Sequence, residues 1–297
     1  MVTERVNFSS EGIAISGLFF LPEERPAEKL PCVILVHGFS NSKDEFGGFP
    51  NLAAKLNEKR ISALSFDFRG CGESGSKPGW MLCSREWPID LRNAITYTVA
   101  RPEIDPERIA LLGLSMGGST VTYVGAFEDR VKTIVSLAAV ADGKKWLQQI
   151  WIEQKGLLAW KQFLTEIEIA QKIKNEPNEM LTCHLADMLA RDEDDRSTME
   201  EWHRVFPYYI LKVPLASVES VLNFRPINVV NQSKCPILFI HGREDTLVPC
   251  QHSRLLFEKA QPPKEYFEVP DAGHDLLIGN CKEEVQKMIL DWFQKWL

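Results

Sequence analysis

One serine in this chain sits where a serine can be made reactive. Ser115 lies in Gly113-Leu114-Ser115-Met116-Gly117, after the apolar run Ile109-Ala110-Leu111-Leu112 and before the small residues Gly118-Ser119-Thr120. A hydroxyl is a weak nucleophile until a base takes its proton, so it has to be presented in the open. A sharp turn between a strand and a helix presents it, but strains the serine backbone and crowds its neighbours. Glycine at both flanking positions removes the Cβ atoms that would collide. The same turn aims the first amides of the following helix at the point where negative charge forms on an attacked carbonyl. A glycine-rich strand-helix junction without chemistry would read the same over five residues, so the rest of the chain has to decide.

A serine elbow calls for a carboxylate and a histidine further along, in that order. Six histidines are available, and their contexts separate them. His274 follows Pro270-Asp271-Ala272-Gly273, in a loop between the last apolar strand and the closing helix. An imidazole there can take the serine proton and return it to a leaving group. His37 and His241 each end a strand ahead of a glycine and read as residues that fix loop geometry. His184, His203 and His252 fall in helical or polar contexts and are expected at the surface. For the acid, Asp245 stands just past a strand end in Gly242-Arg243-Glu244-Asp245, where it can hold the imidazole in the right tautomer. Glu244 and Asp142 are the rivals; Asp271 and Asp275 flank His274 too closely to orient its ring. The oxyanion needs two amide donors. Met116, directly after the nucleophile, supplies one, and Phe39, in the loop after the His37-Gly38 strand end, is placed for the other.

The elements that must hold these residues alternate along the chain. Residues 1–30 read as two antiparallel strands. Continuous apolar runs at 31–36, 61–67, 109–113, 131–137 and 236–242 suit strands buried on both faces of a parallel sheet. Helical patterns at 52–59, 90–95 and 252–260 lie between strands, and a closing helix runs from about residue 282. Strand-helix alternation of this kind gives right-handed crossovers and a mostly parallel sheet, with ligands at the carboxyl ends of the strands. The loops at His37-Gly38, Arg69-Gly70 and Ser115 all fall at such ends. From about 143 to 229 the alternation stops, and helical stretches rich in Trp, Leu, Glu and Lys take over. The expected organisation is therefore a core of 1–142 and 230–297 with a helical cap, 143–229, inserted over the strand ends. The charged tract at 191–196 reads as a solvated turn or helix face.

Composition narrows the classes. Of 297 residues 44% are hydrophobic and 25% charged, as in a soluble globular protein, and the formal net charge of −7 argues against a nucleic-acid surface. No signal-peptide pattern opens the sequence and no apolar run approaches a membrane span, so a cytoplasmic protein is expected. Seven scattered cysteines form no C-x-x-C pair and no H-E-x-x-H occurs, which points to reduced thiols and no metal or other cofactor.

Taken together, His37-Gly38-Phe39, Arg69-Gly70-x-Gly72-x-Ser74, Gly113-x-Ser115-x-Gly117, Gly242-x-x-Asp245-x-x-Val248-Pro249 and Gly273-His274 resemble the signature set of the α/β-hydrolase superfamily. The chain is similar in particular to small carboxylesterases of the feruloyl/cinnamoyl-esterase and serine-aminopeptidase-like branches. The resemblance implies an α/β-hydrolase fold, with Ser115 as nucleophile, Asp245 as acid, His274 as base, and Phe39 and Met116 as oxyanion donors. A serine nucleophile separates it from the haloalkane dehalogenases and epoxide hydrolases, and HGF stands where another esterase group has HGGG. The expected activity is cleavage of a small-molecule carboxylic ester through a covalent acyl-enzyme. A peptidase or a thioesterase would use the same residues, and a binding protein on this scaffold would be expected to have lost one. Specificity is expected in the cap, with Trp146, Trp151, Trp160 and Trp202 as candidate substrate contacts; packing within the cap is the competing use of these rings. The oligomeric state, a homodimer being one option, is left open by the sequence.

Overall fold

The computed structural model describes residues 1–24, 28–173, 181–190 and 192–297. The strands are β1 (Val2–Ser10), β2 (Ile13–Leu21), β3 (Leu30–Val36), β4 (Ser62–Phe66), β5 (Ile104–Leu114), β6 (Val131–Leu137), β7 (Thr182–His184), β8 (Lys212–Pro214), β9 (Ile237–Gly242) and β10 (Lys264–Val269). The helices are α1 (Gly48–Glu58), α2 (Glu86–Val99), α3 (Met116–Gly125), α4 (Gly143–Ile173), α5 (Leu185–Leu189), α6 (Glu193–Val205), α7 (Leu215–Asn223), α8 (Gln251–Lys259) and α9 (Lys282–Trp296).

Eight strands form one sheet in the order β1-β2-β4-β3-β5-β6-β9-β10. β1 and β2 are antiparallel to each other, and β2 is antiparallel to β4; every other pairing is parallel. The apolar runs are continuous because both faces are covered. Val33 and Leu35 pack with Leu52 and Leu56 of α1 and Ile289 and Phe293 of α9, while Ile34 and Val36 pack with Trp87 and Leu91 of α2 and Val121 of α3. Burying such a side chain fully is worth about 1.5–3 kcal/mol, so this two-sided core fixes the register of each strand.

Register is what brings the site together. Val36 pairs with both Phe66 and Gly113, and Leu114 pairs with Leu137, which pairs in turn with Ile240. The loops that begin at His37, Asp67, Ser115 and Ala138 therefore leave the sheet side by side, and the loops after β9 and β10 open at the same edge.

Helices α1 and α2 begin earlier than their apolar patterns suggest. Pro50 and Pro88 lie in their first turns, where the missing N–H would have had no helical partner, so a residue that reads as a breaker opens the helix instead. β5 likewise starts before the apolar run, through the polar stretch 105–108.

Between β6 and β9, which are neighbours in the sheet, the chain makes a long excursion. It holds α4, broken at Gly156 (φ 82°, ψ 168°), then α5, α6 and α7, with no strand of the main sheet among its described residues. Sequence patterning misses the short antiparallel pair β7-β8 here, because three residues per strand carry no readable period. In the charged tract, Asp192 caps α6 by accepting from Asp195 N–H at 2.9 Å, and Glu193, Asp194 and Asp195 occupy its first turn, where the helix dipole favours them. Arg191 of that tract lies outside the described residues.

Candidate active site

Ser115 stands between β5 and α3 with φ 57° and ψ −121°, a conformation that a side-chain-bearing residue adopts only under strain. Its N–H donates to Leu137 O at 2.8 Å, and its carbonyl accepts from Ser119 N–H at 3.0 Å, so strand pairing and the helix both hold the turn. The glycines on either side are required by close approach. A Cβ on Gly117 would lie 2.1 Å from Val36 O and 2.5 Å from His37 O, and one on Gly113 would lie 2.3 Å from the Gly117 carbonyl. All of these contacts are backbone and cannot rotate away. Gly117→Ala is accordingly expected to destabilise the fold by about 3 kcal/mol, because β3 must shift against β5 to make room. Urea unfolding measures this, and an unchanged midpoint would contradict the packing described.

His274 and Asp245 meet from two different loops. His274 Nδ1 lies 2.6 Å from Asp245 Oδ2, and since an ionised carboxylate only accepts, the proton is on Nδ1 and Nε2 is left as the acceptor. Asp245 is 6% exposed and is saturated with donors. Its Oδ1 accepts from the N–H groups of Leu247 (2.9 Å) and Val248 (2.8 Å), and its Oδ2 accepts a second imidazole, His241 Nε2, at 3.1 Å. Burial works to raise the Asp245 pKa, but the charge of His274 and the hydrogen bonds from both imidazoles outweigh it and hold the carboxyl well below the usual range. For His274, burial pulls the pKa down, and the Asp245 charge and hydrogen bond more than reverse it, so the net shift is upward. The rivals for the acid lie elsewhere. Glu244 is exposed, and Asp142 accepts from Lys145 N–H at 3.1 Å and faces Arg225 at 3.9 Å.

Ser115 and His274 open onto one narrow cavity of about 60 Å³, with Phe39, Trp146, Trp202 and Tyr209 among its walls. The Ser115 hydroxyl makes no hydrogen bond within the described residues. Gly38 backs directly onto the serine: a Cβ there would come 3.4 Å from Ser115 Cβ.

The orientation of Phe39 N–H follows from its neighbours. Phe68 N–H donates to His37 Nε2 at 3.1 Å, so the His37 proton is on Nδ1, which donates to Gly38 O at 2.7 Å. In a planar trans peptide the N–H points opposite to the C=O. Pinning Gly38 O against His37 therefore turns Phe39 N–H the other way. No hydrogen bond within the described residues uses Phe39 N–H or Met116 N–H.

The architecture agrees with the similarity of the chain to known proteins. Residues 31–280 match the model of the alpha/beta hydrolase fold family. The chain belongs to the alpha/beta hydrolase family. It is 30% identical over 291 residues to a 31.7 kDa protein of the traX-finO intergenic region of Escherichia coli, covering 97% of each chain. It is also 30% identical over 297 residues to polyketide transferase grgF of Penicillium sp, covering 96% of this chain and 93% of the relative. The crystal structure of GrgF from Penicillium sp. sh18 shares the fold with a TM-score of 0.83 and 21% identity, over 100% of this chain and 99% of that one. Est1E of Butyrivibrio proteoclasticus with ferulic acid bound has a TM-score of 0.70 and 19% identity, over 98% of each.

Within this alpha/beta hydrolase the remaining candidates divide cleanly. Trp146 and Trp202 line the cavity; Trp151 and Trp160 do not. Trp151 stacks on Phe163 with ring centroids 4.0 Å apart, and Trp160 packs beside both, so these rings are a small core of the inserted segment. His252, expected at the surface, is buried. It accepts from Ala141 N–H at 3.2 Å, and burial pulls its pKa down to about 4. His184 caps α5 by accepting from Ala186 N–H, and His203 is exposed. Sequence reasoning missed the cavity-lining Glu45 and the second imidazole on Asp245. A lone acid in a polar loop looks solvated, and His241 is four residues from Asp245 across a turn whose shape no pattern announces.

Proposed function

We propose that the chain is a serine hydrolase that cleaves carboxylic esters of small to medium, apolar or aromatic acyl groups through a covalent acyl-enzyme. The observation that carries this reading is that His274, held by Asp245, opens together with Ser115 onto one cavity with a largely aromatic and aliphatic wall. In the proposed reaction Ser115 Oγ attacks the ester carbonyl carbon while His274 Nε2 takes the hydroxyl proton. The carbonyl electron pair moves onto oxygen, where Phe39 N–H and Met116 N–H stabilise it; each donor of this type is worth about 3 kcal/mol of barrier. Collapse of the intermediate breaks the bond to the alcohol, which leaves with the proton from His274. Water then attacks the acyl-enzyme by the same route, and the acid departs as Ser115 recovers its proton.

The segment 143–229 acts in this reading as a cap that selects the acyl group. Trp146, Leu185, Leu189, Met199, Trp202 and Tyr209 reach into the cavity from it. A cavity of about 60 Å³ is far below the roughly 300–1,000 Å³ of a small-molecule site, so substrate entry requires the cap to move. Near the cavity the segment is tied to the rest of the chain by Ile210 N–H to Ser40 O (2.9 Å), Trp146 Nε1 to Leu247 O (2.8 Å), Tyr208 to Glu73 (3.2 Å), and the contacts of Phe46 with Trp202, Phe206 and Tyr209, while Ser217 and Ser220 of α7 anchor it to residues 79–84.

A thioester acyl donor is the second reading, supported by the 24% identity over 286 residues to thiohydrolase aneE of Aspergillus aculeatus. The acylation step is the same and only the leaving group differs. A fluorophosphonate probe, followed by peptide mapping, is expected to label Ser115. A panel of p-nitrophenyl esters and matched acyl thioesters is expected to show preference for apolar or aromatic acyl groups. Absence of labelling would refute the serine-hydrolase reading, and equal rates from acetyl to long-chain and aromatic groups would refute the selective pocket.

A further inference from the structure

The Glu45 carboxyl is buried in the loop that carries Phe39, with 4% of the residue exposed. Its Oε2 accepts Gly38 N–H at 2.8 Å and its Oε1 accepts Asn41 Nδ2 at 2.5 Å. The Asn41 amide is oriented independently, since its Oδ1 accepts Ser42 N–H at 2.9 Å, so nitrogen is the atom turned to Glu45. No Lys or Arg forms an ion pair with the group among the described residues; the titratable side chains that act on it or feel it include His274, Asp275 and Tyr209. The loop needs this brace. Ser40, Glu45 and Phe46 all have positive φ (63°, 44° and 56°), a conformation that survives only where surrounding contacts enforce it. On its outer side Lys43 is fixed by Asp67, through N–H at 2.7 Å and Nζ at 2.6 Å; on its inner side the fixing group is Glu45.

We propose that Glu45 is a positioning residue of the oxyanion site, holding Gly38 and Asn41 so that the Phe39 N–H stays aimed at the reacting carbonyl. The proposal rests on the serine-hydrolase reading above. His37 pins the carbonyl of the 38–39 peptide and Glu45 pins the amide before it, so the donor peptide is held at both of its neighbours. Burial pushes the Glu45 carboxyl up to about 8 against the opposing pull of its two hydrogen bonds. It is therefore an uncharged acid near neutral pH. That suits its place: a neutral acid fixes the loop without setting a negative charge beside an oxygen that is about to become negative. Ionisation introduces that charge, so turnover should fall as pH rises through about 8.

The test compares wild type, Glu45→Gln and Glu45→Ala, each checked for folding by thermal melt. The readouts are kcat and KM for a p-nitrophenyl ester across pH, and inhibition by a trifluoromethyl ketone, whose hemiketal oxygen mimics the oxyanion. Removing an oxyanion donor outright costs 10²–10³ in kcat, so loosening one is expected to cost about 30-fold in Glu45→Ala, with KM within about threefold and the ketone weakened in parallel. Glu45→Gln keeps an acceptor for Gly38 and cannot ionise. Its NH₂ meets the Asn41 NH₂, so the second hydrogen bond is lost; it is expected to recover part of kcat relative to Glu45→Ala and to lose the alkaline decline. The proposal is overturned if folded Glu45→Ala matches wild type in kcat and ketone affinity, or if Glu45→Gln keeps the decline above pH 8. A wild-type protein that neither hydrolyses the ester nor reacts with fluorophosphonate would instead overturn the underlying reading.

Discussion

Ser115→Ala is expected to lower kcat for a p-nitrophenyl ester by about 10⁶-fold while leaving KM nearly unchanged. In the proposed mechanism the substitution removes the atom that forms the acyl bond and nothing else, since the Ser115 hydroxyl forms no hydrogen bond among the described residues. The turn itself persists: it is held by Ser115 N–H to Leu137 O and Ser119 N–H to Ser115 O, and both are backbone. On that mechanism what remains in the variant is the proposed oxyanion site and substrate binding, which in serine hydrolases still leave about 10³–10⁴ over the uncatalysed rate. The effect should not multiply with loss of the base. With Ser115 gone, His274 has no serine proton to accept, so Ser115→Ala/His274→Ala should be about as slow as Ser115→Ala alone. Steady-state rates of the single and double variants check both statements. A product of the two single effects in the double variant would mean that the residues do not act as one unit.

The parts of this site that could be read before any coordinates are those written in local chemistry. The apolar runs at 31–36 and 109–113 are buried on both faces and look it, and a serine between two glycines at the end of such a run has few other uses. Asp245 and His274 were legible because each follows a strand in the required order, although what joins them is a 2.6 Å contact between loops 29 residues apart. What stayed hidden depends on three-dimensional closeness without a pattern. Glu45 looks like any loop acid until burial and the Gly38 amide give it a purpose, and His252 looks polar until α8 turns it inward. The four tryptophans of the inserted segment are alike in sequence. Only the break at Gly156 and the packing of α4 on itself separate Trp146, at the cavity, from Trp151 and Trp160, in a local core.

Asp245→Asn is the sharpest test of the base, because it keeps shape and removes charge. The Asn oxygen takes over the Leu247 and Val248 amides, which have no other acceptor, and its NH₂ then replaces the oxygen that faced His274. A donor at that place forces His274 to accept through Nδ1 and carry its proton on Nε2, the tautomer that cannot take the serine proton. A loss of about 10⁴-fold in kcat is expected. The pH profile adds a sign. In the wild type Asp245 raises the His274 pKa, so the imidazolium persists above its ordinary 6.5 and activity climbs only as pH passes that raised value. In the variant the charge is gone while burial still disfavours the imidazolium, so the acidic limb of the residual activity should move to lower pH. Stability follows the same pair with opposite limits. The depressed pKa of Asp245 makes its contribution present above about pH 4 and lost as pH falls through the folded value. The raised pKa of His274 makes its contribution complete below about 6.5 and lost as pH rises through the folded value. The pair therefore stabilises the wild type most between about pH 4 and 6.5, and the stability gap between wild type and Asp245→Asn should be widest in that window. Urea midpoints from pH 3 to 9 would show it. A gap that is flat with pH, or an acidic limb that stays in place, would remove Asp245 from its role beside His274.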